Sequence, residues 1–346
     1  MTGLPEEMTA AVLRGPGQLS VEPVAVPVLG DGDVLVAVDL CGICGSDLHM
    51  VLEGWARPGT WQGHEWVGQV IAVGPRVERW QVGDAVVGGP AEPCGLCPMC
   101  AAGRPSLCSG RDDPGRNDNA GAFATYKRTR ATELLAMPAG LDPRAAALAE
   151  PLGIALHAIH QAGIGRGQRV LVLGAGPIGS LAIAAMRTMG VDDITCVEPN
   201  ELRQDLARAV GATTVLGPDD LVVPSIAEPN RVVEGAVDVV LECSGQRSAM
   251  EAGLAQLVRG GTLVLVGAGI DPPRFDPNRI LLNELVITGA FNYDADGFEQ
   301  ALALLATGQL PVERLLEPGV VPLDGLLDAM RGLAEGRLAG KVLVQP

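Results

Sequence analysis

No uncharged apolar run in this sequence approaches the roughly 20 residues that a membrane-spanning helix needs, so no membrane association is expected. The opening stretch, MTGLPEEMTAAVLRG, has acids where a secretion signal needs bases and lacks a continuous apolar core. A cytoplasmic protein is expected. Positive charge is also short: 25 Lys and Arg stand against 41 Asp and Glu, a formal net charge of −16. A field of that sign repels phosphate backbones and anionic lipid alike, so no nucleic-acid partner is expected. Lysine is almost missing, with Lys127 and Lys341 its two occurrences; arginine carries the rest of the positive charge, which reads as compositional bias without a mechanism.

What the chain does have is material for hydrophobic cores. Its 346 residues, at about 150 per domain, suggest two domains, and 47% hydrophobic content excludes disorder. From about residue 10 to 150, short apolar runs broken by Gly, Pro and Asp (TAAVLR, DVLVAVDLCGIC, VGQVIAVG, DAVVGG) predict a mainly β, barrel-like domain. From about 151 the rhythm changes. Six strand-like runs, VLVLG, ITCVE, TTVLG, VDVVLE, TLVLVG and LVITGA, are separated in part by helix-length segments such as SLAIAAMRTMG and ELRQDLARAVG. That alternation predicts an α/β, doubly wound parallel sheet. The segment SIAEPNRVVEGA, near 225–236, reads as a loop or short helix. The stretch from about 291 has one good helix and ends in short elements, and it is assigned back to the first domain. The expected division is therefore 1–151 with 291–346, and 152–290.

Eight cysteines in such a chain point to metal binding rather than to a disulfide framework. Cys94, Cys97, Cys100 and Cys108 form a Cys-x2-Cys-x2-Cys-x7-Cys cluster in a Gly- and Pro-rich loop. Four thiolates around one tetrahedral ion leave no open position, so a structural zinc is expected. Cys41, Cys196 and Cys243 share ligand spacing with nothing and are expected to be small buried hydrophobes. His157 and His160 share a helix face without a further ligand at matching distance.

Gly174-Ala175-Gly176-Pro177-Ile178-Gly179 follows an apolar run and opens a helical stretch, the context in which Gly-x-Gly-x-x-Gly binds a dinucleotide. The first glycine permits the turn, the second admits the pyrophosphate, and the third lets helix pack on strand; the helix N-terminus then presents N–H groups to the phosphates. Glu198 stands at the spacing expected of the acid that hydrogen-bonds an adenosine ribose. A carboxylate there repels a 2′-phosphate and favours NAD over NADP, although Arg203 could soften that exclusion.

Two more motifs occupy the β-rich half: Cys41-Gly-Ile-Cys44-Gly-Ser46-Asp47-Leu-His49 and Gly63-His64-Glu65-x2-Gly68-x5-Gly74-x2-Val77. With the four-cysteine loop and the glycine fingerprint, they resemble the zinc-dependent medium-chain dehydrogenase/reductase family, the alcohol dehydrogenase superfamily. Glu150-Pro151-Leu152 resembles its sorbitol and threonine dehydrogenase branch. The resemblance implies a Rossmann domain beside a GroES-like catalytic domain, and two zinc ions per chain. It makes Cys44 and His64 ligands of a catalytic zinc, with Glu65, Glu150 and water or substrate sharing the other places, and it leaves open which glutamate coordinates. Ser46 and His49 match the family's proton relay; Asp47 itself reads as a structural residue accepting hydrogen bonds behind the site. Val266, Gly267 and Phe291 match places where the family contacts the nicotinamide half. Lys341, in GKVLV, matches a family motif too weakly to assign. The segment between Cys44 and His64 differs from sorbitol dehydrogenases; Trp55 and Trp61 could wall a pocket for an apolar or ring-shaped alcohol, or Arg57 could greet a carboxylate or phosphate.

The expected function is hydride transfer between a secondary alcohol, polyol or cyclitol, or the matching ketone, and NAD(H). A small-molecule alcohol or ketone is the expected partner, in a homodimer or homotetramer. Three rivals stand beside it: an NADP-linked ketone reductase of the same family, a zinc-ribbon interaction or nucleic-acid-binding protein, and a nucleotide-binding redox sensor.

Overall fold

The computed structural model describes residues 4–89, 93–110, 120–294 and 296–346. The chain divides into two compact units, one of Met1–Pro151, Phe298–Gly308 and Leu316–Pro346, the other of Leu152–Gly297 and Gln309–Leu315.

In the first unit, β1 (Glu7–Gly15) and β2 (Gln18–Ala25) form an antiparallel hairpin. A seven-stranded sheet is built on β3 (Asp33–Gly42), with β4 (Glu65–Val73), β5 (Ala85–Gly88), β6 (Tyr126–Arg130) and β7 (Leu134–Ala136). Strand β3 is its spine: Val34, Leu35 and Val36 are buried in succession, so both its faces are covered, as its unbroken apolar run requires. It pairs antiparallel with β4 along its length and with β6 over its first half. The core beneath holds Trp66, Phe123 and Leu134, and a Cβ at Gly88 would lie 2.0 Å from the Trp66 ring.

The register of β3 with β4 builds the first site. Gly42, at the end of β3, pairs with Glu65, at the start of β4. The chain leaves β3 into the helix Gly45–Leu52, so Cys44 and the His64-Glu65 pair arrive at the same end of the sheet.

In the second unit, β8 (Arg169–Leu173), β9 (Asp193–Val197), β10 (Thr214–Leu216), β11 (Val237–Glu242), β12 (Leu257–Leu265) and β13 (Val286–Gly289) form one all-parallel sheet in the order β10-β9-β8-β11-β12-β13. All six apolar runs become strands. The order reverses between β8 and β11, where such sheets bind ligand beyond the strands' carboxyl ends. Residues 221–236 carry neither helix nor strand. The buried Arg279 holds this loop by donating to the carbonyls of Arg231 and Glu228, at 2.9 and 3.2 Å.

The chain returns to the first unit as β14 (Val321–Pro322) and β15 (Leu343–Gln345), and β15 adds to β3 beside Cys41 and Gly42. Among the described residues no helix is long and apolar enough to cross a membrane.

Candidate active site

Cys44, His64 and Glu65 each offer a ligand atom, and the three atoms lie within 4.8 Å of one another. Behind them stands Asp47, fully buried: its Oδ2 accepts from the Cys44 backbone N–H at 2.9 Å, and its Oδ1 lies 3.6 Å from His64 Nδ1. Burial opposes a charge on His64, but the Asp47 carboxylate and the Cys44 sulfur outweigh it and hold the imidazole well above its ordinary range. The surroundings therefore favour positive charge. A mixed sulfur, nitrogen and oxygen set in such a field fits a divalent ion with an open place, which is what catalytic zinc sites have. Glu150, in the first turn of the helix Ala149–Gln161, is buried nearby, and that burial pushes its carboxyl up to about 7, with Glu65 adding to the rise against His64.

The outer end of the helix Gly45–Leu52 carries His49, stacked on Trp55 with ring centroids 4.8 Å apart, and its Nδ1 lies 2.9 Å from a carboxylate oxygen of Glu53. Ser46 is half-buried in the first turn of the same helix. Trp61 bridges to Ala120 and packs, half-buried, on the small cluster of Met8, Ala10, Val12 and Ala124. Arg57 is exposed.

The four thiols of Cys94, Cys97, Cys100 and Cys108 also converge within 4.8 Å. The loop wraps them with the short helix Pro98–Ala101 and a tight turn at Pro105–Leu107. Backbone N–H groups point at sulfur, from Cys94 and Gly110 to Cys108 at 3.1 and 3.3 Å and from Cys97 to Cys94 at 3.3 Å. Such donors stabilise thiolates: the backbone groups of Cys100 and Ser109 hold Cys97 down at about 5, and Cys108 is lowered in the same way. Cys100 goes the other way, pushed up to about 12 by burial first and by Cys97 next. Four sulfurs this close need a cation to be thiolates together, and the set fits a closed tetrahedral zinc. Among the described residues, Cys41, Cys196 and Cys243 belong to neither ligand cluster, and burial raises all three thiols.

In the second unit, Gly174 takes φ +91°, and a Cβ on Gly179 would fall 1.9 Å from the Gly174 carbonyl oxygen, so the turn and the close approach both demand glycine. Gly176 caps the helix Pro177–Thr188, with Pro177 and Ile178 in its first turn. Glu198 follows β9 with its carboxylate buried, accepting from the backbone of Ala175 at 2.8 Å and of Asn200 at 3.0 Å. The acid therefore also ties the fingerprint loop to the end of β9. Arg203 sits half-buried in the helix Glu201–Val210, its backbone N–H donating to the Asn200 side-chain cap at 3.2 Å. Val266 and Gly267, just past β12, both donate their N–H groups to the Glu242 carbonyl, at 2.8 and 2.9 Å. Phe291, just past β13, is exposed.

Two further residues stand out, Glu242, which sequence reasoning did not name, and Lys341, to which it assigned no role. Glu242, fully buried at the end of β11, takes the backbone N–H groups of Ser244 and Gly245 on its carboxylate, at 2.8 and 3.1 Å, and the Ser244 hydroxyl as well. The turn it ties packs on the fingerprint, since a Cβ at Gly174 would come 2.9 Å from the Ser244 Cβ. Lys341, buried among the residues of the first site, donates to Glu65. Its signal was available: it is one of two lysines in the chain.

Residues 30–139 match the family model for the alcohol dehydrogenase GroES-like domain, and residues 177–307 the one for zinc-binding dehydrogenases. Sorbitol dehydrogenase of Bacillus subtilis (strain 168) is 31% identical over 99% of this chain and 98% of its own length. The 2-dehydro-3-deoxy-L-galactonate 5-dehydrogenase of Pseudoalteromonas atlantica is 32% identical over 91% of this chain and 92% of its own. Among solved structures, L-idonate 5-dehydrogenase from Escherichia coli superposes with a TM-score of 0.86 at 28% identity, over 98% of each chain. Two family models matched in order, with a relative similar from end to end and two metal-competent clusters, make this chain a member of the zinc-dependent alcohol dehydrogenase family of oxidoreductases.

Proposed function

We propose that the chain transfers hydride between a secondary alcohol, polyol or cyclitol, or the matching ketone, and NAD(H). The observation that carries this reading is the convergence of Cys44, His64 and Glu65, with Glu150 buried nearby as a second carboxylate, an open mixed-donor set distinct from the closed four-cysteine cluster. Zinc bound there supplies Lewis acidity, which lowers the pKa of a substrate hydroxyl. The protein's own residues do the rest. Asp47 fixes His64 and the turn at Cys44. Ser46 takes the hydroxyl proton while giving its own onward in a relay that ends at His49, which, 24% exposed and held between Trp55 and Glu53, releases a proton to water. In the second unit the fingerprint from Gly174 to Gly179, together with Val266, Gly267 and Phe291, holds the dinucleotide. Glu198 selects NAD, because a buried carboxylate tolerates a ribose hydroxyl and repels a phosphate. The four cysteines hold a second zinc that secures their loop. In solution the chain acts as a cytoplasmic homodimer or homotetramer.

The test is reduction of NAD and of NADP, followed by absorbance, over a panel of polyols, cyclitols and simple secondary alcohols. We expect turnover with NAD on at least one class, no turnover in Cys44→Ser, and weakened preference for NAD in Glu198→Ala. Tight cofactor binding without turnover on any alcohol or ketone would instead indicate a sensor.

A further inference from the structure

Lys341 is 1% exposed and Glu65 0%, so neither charge can be solvated and each depends on the other. An ammonium has three donors, and all three are used: Nζ lies 2.7 Å from Glu65 Oε1, 2.5 Å from Glu65 Oε2 and 3.0 Å from the Ile43 carbonyl oxygen. The lysine backbone is fixed as well. One Glu317 carboxylate oxygen accepts from the N–H groups of Ala339 and Gly340, both at 2.8 Å, and the Glu317 N–H donates to the Lys341 carbonyl at 2.9 Å. On the other side Ile43 donates to the Val342 carbonyl at 3.0 Å. Space is kept for the pair, too: a Cβ at Gly42 would fall 2.3 Å from Glu65 Oε2 and 3.2 Å from Lys341 Cδ. A chain that places arginine nearly everywhere has therefore placed a lysine where a compact charge must fit.

We propose that Lys341 is a positioning residue for the metal site: by engaging both oxygens of Glu65 it withholds that carboxylate from full ligation and keeps a place for substrate beside Cys44 and His64. The inference rests on the zinc reading above and answers which of the two glutamates is free to coordinate. Glu65 lies within ligand distance of the cluster but spends its charge on the ammonium, whereas Glu150 forms no such pair among the described residues. Without the lysine, Glu65 is a buried carboxylate whose charge has lost its partner, and the ion is the cation within its reach.

The experiment uses the full chain with cobalt(II) exchanged for zinc, compared by visible absorption and by the rate at which a chelator removes the metal. The four-cysteine site contributes equally to each variant and cancels in difference spectra. Lys341→Met brings Glu65 onto the ion, so the ligand-field bands lose intensity as the coordination number rises, and metal release slows. The double variant Glu65→Gln/Lys341→Met removes both charges together, keeps the ion and shows the wild-type spectrum, and it serves if Lys341→Met does not fold. Superimposable wild-type and Lys341→Met spectra, or loss of the ion from the double variant, overturn the inference. Failure of the wild-type chain to take up a second cobalt ion overturns the zinc reading itself.

Discussion

At the carboxyl end of β11, burial holds the Glu242 carboxyl above its ordinary value of 4.5, against the opposing hydrogen bonds of Ser244 and Gly245. A raised acid keeps its proton longer in the folded chain than in the unfolded one, so its contribution to stability is greatest below 4.5 and declines as pH rises toward the folded value. The loss is about 1.4 kcal/mol for each pH unit over which the folded carboxyl stays protonated while the unfolded one has ionised. Glu242→Gln should flatten that part of the curve, measured as denaturant midpoint against pH for the variant and wild type; parallel curves would contradict it. Spacing made the cysteines and His64 legible as candidate ligands because metals impose short, regular intervals on sequence. It could not reveal Glu242, whose partners are the two residues of its own turn, or Lys341, whose partner lies 276 positions away.

The central parallel strands β8 and β11 were readable as elements because a strand buried on both faces leaves an unbroken apolar run. The stretch 221–236 was harder, since what orders it is Arg279 and Asn283 on a later helix rather than a period of its own. The four-cysteine loop is the opposite case: its few regular turns are three or four residues long, and the sulfurs define it. It should therefore depend on its ion more than any other element. Cys97→Ser is expected to release about one of two zinc ions per chain and to open the loop to protease while cofactor binding by the second unit persists, as read by metal analysis and NADH fluorescence. Retention of both ions would show that three thiols suffice.

Across the whole molecule, a ligand that binds only the native state raises stability by mass action. NADH at about 100 times its dissociation constant should raise the unfolding free energy of the full chain by about 2.7 kcal/mol, and NADPH at the same concentration by less, which calorimetry would measure. Equal effects would remove Glu198 from the cofactor site. The first unit is assembled from three stretches of chain, with the second unit's residues lying between them. Strand β3 is translated early, β15 late, and the ion pair that links their neighbourhoods spans 276 positions. At 5–20 residues per second a ribosome needs about 14–55 s to bridge that interval. For that time the nascent polypeptide carries an acidic group whose counter-charge has not yet been made.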